Sequence, residues 1–463
     1  MRKAILAALL LLTAAILTAA PPEIEVSIGE LNGKALRPLH GLCNWAPFTG
    51  NIDPTIDLVP YIQKLQAPYS YFHDAELLDP GLAIMDVSRV FPLFHADPDD
   101  PRNYLFEEGD LYFKRVVESG TKIIFRLGES IECHNPKMRV KPPQDFEKWA
   151  DICIHIIRHY NEGWANGYHW GIQDWAIWEE PNNPNLWGGE FSRYLELYAV
   201  ASRKLKAAFP HLNIGGPETT TLGLKYFQEF AEYCAKNKLP LDFACFTAYF
   251  PTPEELLEGA NIRRKILDDN GFKNVPLWIN EWHMCPNWDN WAHYAEHFEE
   301  VKRISGVEGG VFAAATLAAM QDSVIDRACF YCVICQNGWG LFDMNREYPA
   351  PAYYALNFFG EMYRENNARR AVAIAPAVKN AYGIAGEGQD GTVRVLLGFY
   401  NNDMLTLKIA LPKGLRLKQL HAIDKCGRID QPLRPNEMTL TDDGRLTFRK
   451  PTGPAAYMLI LEK

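Results

Sequence analysis

The sequence predicts a parallel (β/α)8 barrel followed by a smaller antiparallel β-sandwich. Between about residues 40 and 365, eight short apolar runs alternate with amphipathic segments, which is the pattern of repeated β/α units. From residue 366 onward, short apolar runs alternate with turn residues and helical patterns disappear. The length of 463 residues suits a barrel with one additional module.

The N-terminal segment, residues 1–20, reads as a secretory signal peptide. It combines a basic start (Arg2 and Lys3), a long apolar run and small residues up to Ala20. We therefore expect export to the periplasm or the extracellular space. Pro21 is an unfavourable residue directly after a cleavage site, so an uncleaved N-terminal anchor is the alternative.

The barrel prediction for residues 40–365 depends on eight strand-like runs. Helical patterns lie between them, for example DFEKWADICIHIIRHYNEG and FSRYLELYAVASRKLKAAFPH, and the second of these is predicted to stop at Pro210. The predicted strands are HGLCNWAPF, YSYFHD, TKIIFRLGE, DWAIWEEPN, LNIGGPET, LDFACFTAYF, PLWINEWHM and RACFYCVICQNGWGLFD.

The C-terminal region, residues 366–463, is predicted to be a β-sandwich. Its strand candidates are separated by Gly, Asn, Asp and Pro turns. The segment EIEVSIGELNGKAL, within residues 21–39, is predicted to add a strand to it. The candidates in the tail are TVRVLLGFYNND, MLTLKIALPKG, LKQLHAIDK, GRLTFRK and AAYMLILEK.

Composition excludes some classes of function. A net charge of −10 argues against nucleic acid, whose binding proteins need a basic surface. After the N-terminal run, no segment approaches the ~18 continuous apolar residues of a membrane span. The 12 Trp and 21 Tyr provide rings that could stack on sugars, although most rings in a chain of this size belong to the core.

The ten cysteines permit disulfides without proving them. Cys153, Cys245, Cys329 and Cys332 lie in apolar patterns and are expected to be small buried side chains. Cys332-x-x-Cys335 has the spacing of a metal or redox motif. No second pair or His cluster accompanies it, which argues against a zinc or redox site.

Two acidic positions at predicted strand ends are candidates for catalysis. The doublet Glu179 and Glu180 ends the fourth predicted strand, and Glu281 ends the seventh. Residues at strand C-termini of such a barrel face the active site, so these carboxylates can converge. The alternative for each is a salt bridge at the rim. Neighbouring tryptophans favour a sugar site, namely Trp178, Trp278 and Trp282.

Two converging carboxylates suit cleavage of a glycosidic bond. One carboxylic acid protonates the leaving oxygen while the other carboxylate attacks the anomeric carbon or activates a water. A separation of about 5–5.5 Å predicts retention of configuration, and roughly 6.5–9.5 Å predicts inversion. Both outcomes stay open from the residues alone. The reaction requires no cofactor and no metal.

Several segments resemble glycoside hydrolase family 39 of clan A, which contains β-xylosidases and α-L-iduronidases. IWEEPNNPNLW resembles the acid/base motif of the family, LWINEWHM its nucleophile strand and YSYFHD its second-strand segment. GWGLFDMNREYPAPAYYALNFFGEM resembles the exit of its eighth strand. The resemblance covers most of residues 40–463 and implies a barrel with an accessory sandwich.

The resemblance implies roles for individual residues. Glu180 corresponds to the general acid/base and Glu281 to the nucleophile of a retaining double displacement. Tyr249 resembles the tyrosine that contacts the nucleophile, with a core or rim tyrosine as the alternative. An apolar wall such as Trp178 would raise the pKa of Glu180 usefully.

Two positions depart from the pattern of the family. The clan usually places Asn before the acid/base, where its amide holds the sugar 2-hydroxyl, and this chain has Glu179 there. A carboxylate cannot donate to that hydroxyl. The sixth strand carries Thr247 where many relatives have His. Both changes argue against transferring the xylosidase or iduronidase specificity to this chain.

Other predicted pocket residues lie near strand ends, and each has a structural role as its alternative. Sugar hydroxyls are commonly held by polar groups above an aromatic ring. Arg126 could bind a uronic acid carboxylate or neutralise a neighbouring acid. The predicted substrate contacts are Glu179, Tyr249, His73, Asn44, Trp178, Trp282, Trp339 and Arg126, with Asp74, Trp45 and Glu129 as neighbours.

The leading hypothesis is an exported, retaining glycoside hydrolase that is exo-acting on a plant, algal or host glycan. The alternatives are a glycan-binding barrel weakened by Glu179, and an inverting hydrolase. The expected partner is an oligosaccharide or polysaccharide. Expected contact with a membrane is limited to an uncleaved N-terminal anchor, and the sequence leaves the oligomeric state open.

Overall fold

The computed structural model confirms a closed, eight-stranded parallel barrel with a separate curled sheet. The predicted signal segment lies outside the described residues except for Ala20. Among the described residues, no helix has the length and hydropathy needed to cross a membrane. The structure describes residues 20–45, 48–49, 56–75, 83–133, 135–287, 294–333, 339–342, 349–425, 429, 431–434, 437–441 and 444–463.

All eight predicted barrel strands are present. Counted along the chain, the barrel strands are β2 (Gly41–Cys43), β5 (Tyr69–Phe72), β6 (Lys122–Leu127), β7 (Asp174–Ile177), β8 (Asn213–Thr219), β9 (Phe243–Phe250), β10 (Leu277–Met284) and β11 (Arg327–Tyr331). They pair in parallel in this order, and β11 closes on β2. A two-stranded hairpin, β3 (Phe48–Thr49) with β4 (Ile56–Asp57), lies outside the barrel sheet.

Helices connect the barrel strands. The helices are α1 (Val59–Leu65), α2 (Val87–Val90), α3 (Glu107–Glu118), α4 (Phe146–Glu162), α5 (Phe191–Ala208), α6 (Leu224–Asn237), α7 (Pro253–Asp269), α8 (Tyr294–Ile304), α9 (Val307–Met320) and α10 (Pro351–Glu365). Local signals explain several ends. The Asp145 carboxylate caps α4 by accepting from Lys148 N, and Gly163 ends it in the left-handed conformation with φ 77°. Helix α5 ends at Ala208, two residues before the predicted stop.

The second domain is one nine-stranded sheet whose two halves face each other. It contains β1 (Glu23–Ala35), β12 (Ala368–Ala375), β13 (Ala381–Glu387), β14 (Val393–Phe399), β15 (Leu405–Ala410), β16 (Arg416–Ile423), β17 (Thr439–Leu440), β18 (Arg445–Lys450) and β19 (Ala455–Glu462). Strands β18 and β19 are not neighbours in the sheet, yet the rings of Phe448 and Tyr457 lie 4.7 Å apart. The sheet therefore curls into the predicted sandwich.

The curled sheet differs from the prediction in two ways. Strand β1 joins it by pairing antiparallel with β12 and parallel with β15, so the sheet is not purely antiparallel. The sequence reading also missed β12 and β13, where alanine and glycine lower the strand propensity.

The sheet packs on the barrel through α9. This helix is apolar on all sides and is buried between the barrel and β14. Gly398 of β14 permits the close approach, because a Cβ there would lie 2.5 Å from Ala315 Cα. One continuous core therefore joins the barrel to the outer face of the sheet.

Candidate active site

The doublet Glu179 and Glu180 lies at the mouth of the barrel because β7 ends just before it, at Ile177. Trp178 and Glu180 have positive φ angles of 65° and 37°, which interrupts the regular alternation of side chains. Such conformations cost about 1–3 kcal/mol each and often occur at functional sites. Here they allow two adjacent acids to enter the same site.

Glu180 is held by two neutral donors. The Thr247 hydroxyl donates to Oε1 at 2.8 Å, and the Asn183 amide donates to Oε2 at 2.9 Å. Burial raises the pKa of Glu180 to about 7, and the negative charge of Glu281 adds to this effect. A carboxyl with this pKa carries a proton for a substantial fraction of the time at neutral pH, as a general acid must.

Glu281 enters the site from β10, next to a β-bulge. The pairing of β10 with β9 shifts between Ile279 and Glu281, so Asn280 is an extra residue. The Tyr249 hydroxyl donates to Glu281 Oε2. His73 Nε2 lies 2.6 Å from Glu281 Oε1. One carboxylate oxygen of Glu281 therefore accepts a hydrogen bond, and the other forms an ion pair with His73.

His73 connects Glu281 to Glu179. Its Nδ1 atom lies 2.7 Å from Glu179 Oε2 and 3.1 Å from Asp74 Oδ2. Although burial opposes a charge on the ring, Glu179, Glu281 and Asp74 raise the pKa of His73 well above its ordinary value. Burial raises the pKa of Glu179, and the neighbouring His73 opposes this shift. Glu179 therefore faces an imidazole that also contacts Glu281, the predicted nucleophile.

Asn44 orients His73 from the end of β2. Its Oδ1 atom accepts from the His73 backbone N–H at 3.1 Å, and its Nδ2 atom lies 2.8 Å from His73 Nε2. Asp74 also accepts from Ile131 N at 2.9 Å, and its interaction with His73 helps to lower its pKa to about 2 although burial opposes that. The contacts thus define the orientation of the ring.

Glu218 is a buried acid that the sequence reading did not single out. It lies near the end of β8, has no exposed surface and has a φ of 53° at a break in the pairing with β9. The Tyr71 hydroxyl donates to its Oε2 atom. Burial raises its pKa well above the ordinary value, and Glu281 adds to the shift. The signal was available, because Glu218 is an acid in the last residues of a predicted barrel strand, the same criterion that singled out Glu180. Glu281, predicted to end its strand, lies three residues before the end of β10.

Three predicted substrate contacts were wrong, because their side chains have no exposed surface. Trp178 donates to Leu186 O at 2.7 Å and packs against Trp187. Its ring points towards the surrounding helices and does not form a wall beside Glu180. Trp282 also points outwards, with its ring 4.9 Å from that of Phe330.

The third of these predicted contacts, Arg126, lies beneath Glu179 and His73 inside the barrel. Its guanidinium donates to Asp86 at 3.1 Å and to the His73 carbonyl oxygen, and its Nε atom lies 3.9 Å from Glu179 Oε2. It therefore neutralises neighbouring acids, which was the structural alternative, and is not available to a uronic acid. Glu129 is structural too, since it accepts from Ser88 N at 2.9 Å.

The aromatic residues near the mouth divide into two groups. The ring of Trp339 lies 4.6 Å from that of Tyr249 and 5.6 Å from that of His283, beside the catalytic candidates. Trp45 is buried and donates to Ser70 Oγ, while Trp278 stacks on Phe243 at 3.8 Å inside the barrel. Trp339 is thus the predicted ring that the structure places at the site.

Two donor sets near the site have the proximity of metal ligands: Cys43, His73 and Glu281, and His73, Asp74 and Glu179. Both sets share His73, whose nitrogen atoms already contact carboxylates, so ion pairs account for the arrangement. The expected burial of Cys153, Cys245, Cys329 and Cys332 is confirmed. Cys335 lies outside the described residues.

Comparison with known proteins gives a family match over residues 88–381, to the model described as glycosyl hydrolases family 39. A β-xylosidase of Geobacillus stearothermophilus is 25% identical over 320 residues, which cover 62% of this chain and 60% of that protein. A β-xylosidase of Caldicellulosiruptor saccharolyticus is 25% identical over 191 residues, covering 38% of this chain and 36% of that protein. The matches therefore span less than two thirds of these relatives.

Solved structures show the same fold over nearly the whole chain. A glucosidase from Croceicoccus marinus has a TM-score of 0.72 at 20% identity and covers 95% of this chain and 99% of its own. A β-xylosidase of family 39 from Caulobacter crescentus has a TM-score of 0.66 at 16% identity, with coverage of 95% and 99%. At these identities the likeness establishes the architecture.

Proposed function

The chain belongs to family 39 of the glycosyl hydrolases, and from this premise we propose that it is a retaining O-glycosyl hydrolase. The observation that carries the proposal is the pairing of two carboxyl groups in different surroundings. Glu180 is held by the neutral side chains of Thr247 and Asn183, whereas Glu281 is contacted by Tyr249 and His73. When two carboxyl groups of one site have such different surroundings, they can take different roles. Here Glu180 is assigned the general acid/base role and Glu281 the nucleophile role.

In the first step, Glu180 gives its proton to the glycosidic oxygen while a Glu281 oxygen attacks the anomeric carbon. The bond to the leaving group breaks, and an ester between the sugar and Glu281 forms. In the second step, Glu180 takes a proton from water as the water oxygen attacks the same carbon. The ester bond breaks and the Glu281 carboxylate is restored, with net retention.

The substrate that we propose is a plant, algal or host glycan cleaved from its end. The named relatives are two β-xylosidases, and the similar structures include a glucosidase, so xylosides and glucosides are the first sugars to test. Trp339 is proposed as the platform under the sugar ring, because it lies beside Tyr249. Asn44, beside His73, is proposed to face the sugar hydroxyls.

The test of the catalytic roles uses aryl glycosides with good and poor leaving groups. We expect Glu180→Gln to lower kcat/KM for poor leaving groups by about 10²–10⁴-fold and to spare dinitrophenyl glycosides, which need no acid. The wild type should lose activity towards alkaline pH with a limb near 7, since burial raises the pKa of Glu180 to about 7, and this limb should disappear in the variant.

Azide separates the two roles. With Glu180→Gly, added azide should yield the glycosyl azide of retained configuration; with Glu281→Gly, it should yield the inverted one. The anomeric configuration of the first wild-type product, read by NMR, checks retention directly. A wild-type activity that survives both substitutions, or an inverted product, would refute the assignment. Glycan binding without turnover over the whole panel would favour the binding-module alternative.

We also propose that residues 1–20 direct export, on the basis of their basic start and apolar run. Cell fractionation and N-terminal sequencing of the full-length product test this. A mature N-terminus near Pro21 in the exported fraction is expected. A cytoplasmic product that keeps Met1 would contradict the proposal.

A further inference from the structure

Glu179 occupies the position where the family usually has Asn, but its carboxylate is turned towards His73. It is 2% exposed, and the contacts described for its Oε2 atom are His73 Nδ1 at 2.7 Å and Arg126 Nε at 3.9 Å. This oxygen atom is engaged by His73 and Arg126, which points to a role for Glu179 other than holding a sugar hydroxyl.

We propose that Glu179 is a positioning residue for the nucleophile: it keeps His73 in the imidazolium form, whose Nε2 atom forms an ion pair with Glu281 Oε1. The inference rests on the nucleophile role proposed for Glu281. It goes beyond that role because it assigns Glu179 and His73 to Glu281 and not to the sugar.

Each nitrogen atom of the ring lies at ion-pair distance from a carboxylate oxygen, 2.6 Å from Glu281 Oε1 and 2.7 Å from Glu179 Oε2. Ionised acids at both positions favour a proton on each nitrogen, because an opposite charge at this range stabilises the charged ring. Both contacts are buried, since His73, Glu179 and Glu281 are each less than 5% exposed.

Asn44 offers the competing state. Its Nδ2 atom lies at hydrogen-bond distance from His73 Nε2, 2.8 Å, and since an amide nitrogen only donates, this contact favours the ring without a proton on Nε2. The neutral ring would then be held by Asn44, and Glu281 would lose its ion pair with His73 while keeping the Tyr249 hydroxyl as a donor. Glu179 opposes this change because its carboxylate stabilises the positive ring through Nδ1. The balance between the two states thus depends on Glu179.

Other charged and titratable groups surround the ring from every adjoining strand. Asp74 favours the charged form through Nδ1 at 3.1 Å, while Arg126, bonded to the His73 carbonyl oxygen, opposes it. The further groups that face His73 are Cys43 on β2, Tyr71 on β5, Glu180 after β7, Glu218 on β8 and Tyr331 on β11. Removal of Glu179 leaves Asp74 as the remaining acid at Nδ1.

The first test needs no substrate, and a substitution serves only to identify the signal. In the unliganded wild type labelled with ¹⁵N-histidine, both ring nitrogens of His73 should carry protons at pH 7, and the signal is identified by its absence in His73→Gln. A neutral His73 ring at pH 7 in the wild type would overturn the proposal. This measurement stands apart from activity, so an enzyme that hydrolyses none of the glycosides would refute the proposed function and leave this test intact.

The second test compares Glu179→Gln with Glu179→Asp. With glutamine, His73 should lose its proton at a lower pH. The pre-steady-state burst of dinitrophenolate, released as the ester on Glu281 forms, should be slower by about 10- to 100-fold, while KM should change less than threefold. This burst does not depend on proton transfer from Glu180. Aspartate keeps the charge and should restore most of the burst rate and the His73 signal.

Glu129→Gln is the matched control, because it removes a buried acid that contacts Ser88 and not His73. It should leave the His73 signal unchanged. If Glu179→Asn instead raises activity on xylosides or changes KM and preference while the His73 signal stays the same, Glu179 acts on the sugar 2-position and the proposal fails.

Discussion

The interiors of the barrel and of the curled sheet bury different kinds of side chain. The mouth of the barrel encloses three acids and a histidine, Glu179, Glu218, Glu281 and His73, each below 5% exposure. The core of the sheet consists of aliphatic and aromatic side chains from both of its halves. Its buried Lys450 ammonium is satisfied by backbone carbonyls, including those of Asp403 and Gly453 at 2.7 Å.

This difference shows where the molecule gives up stability for chemistry. Burying charged groups is costly even when they are paired, whereas apolar packing stabilises directly. In the barrel, Arg126 and His73 offset part of the repulsion between acids. Substitutions in the barrel mouth should therefore change activity and pH dependence as well as stability, and those in the sheet should change stability alone.

The largest expected effect is that of Arg126→Met. The substitution removes the buried guanidinium that pairs with Asp86 and lies near Glu179, so we expect the free energy of unfolding to fall by about 3–5 kcal/mol. Denaturant unfolding measures this loss. Arg416→Met is the control, because Arg416 lies on the surface with its side chain 73% exposed and should change stability by less than ~0.5 kcal/mol. A loss below ~1 kcal/mol for Arg126→Met would contradict the role given to the buried pair of Arg126 and Asp86.

A change of similar kind in the sheet should separate stability from activity. Leu459→Ala removes a fully buried side chain from β19, and we expect a loss of about 2–5 kcal/mol. The kcat/KM of the protein that remains folded should stay within twofold of the wild type. Leu440→Ala, on the exposed strand β17, provides a matched leucine with little expected effect. A loss of kcat in the folded Leu459→Ala protein would contradict the expectation that substitutions in the sheet change stability alone.

The smallest expected effect is a pH dependence from Glu218. Burial raises the pKa of this acid, so the folded protein keeps a proton that the unfolded chain releases above about pH 4.3. The free energy of unfolding of the wild type should therefore fall as pH rises from that value towards the folded pKa. Glu218→Gln should remove this pH dependence. As pH rises, the free energy of unfolding of the variant should therefore increase relative to that of the wild type by about 1 kcal/mol per pH unit.

Thermal unfolding of both proteins between pH 5 and 7 checks the sign. Glu190→Gln, at an exposed position, is the control and should follow the wild type. A Glu218→Gln variant that loses stability relative to the wild type as pH rises would show that Glu218 is ionised in the folded protein.

Regular alternation accounts for the side-chain directions along β7 as far as Ile177 and fails after it. Along β7, Asp174 and Ala176 face the barrel interior and Trp175 faces the helices, as a regular strand requires. Continued alternation would turn Trp178 inwards and Glu179 outwards. The left-handed conformations at Trp178 and Glu180 reverse this, so the tryptophan is buried outside and both acids enter the site.

The bulges explain the remaining differences. The extra residue Asn280 in β10 shifts the side-chain parity, so that Glu281 faces inwards and Trp282 outwards. Glu218 occupies the corresponding break in β8. Bulges of this kind leave no clear mark in the sequence, because a single extra residue does not change the apolar pattern of the run.

The sequence by itself determined the alternation of barrel strands and helices, the barrel and sandwich architecture, the family resemblance and the positions of Glu180 just after the fourth barrel strand and Glu281 on the seventh. These follow from local periodicity and from short motifs. Only the tertiary structure decided that Glu179 faces His73, that Arg126 pairs with Asp86, and that the Trp178 and Trp282 rings leave the site. The physical reason is that strand ends and bulges determine the direction of these side chains. The positions of strand ends and bulges depend in turn on contacts between residues that are distant in the chain.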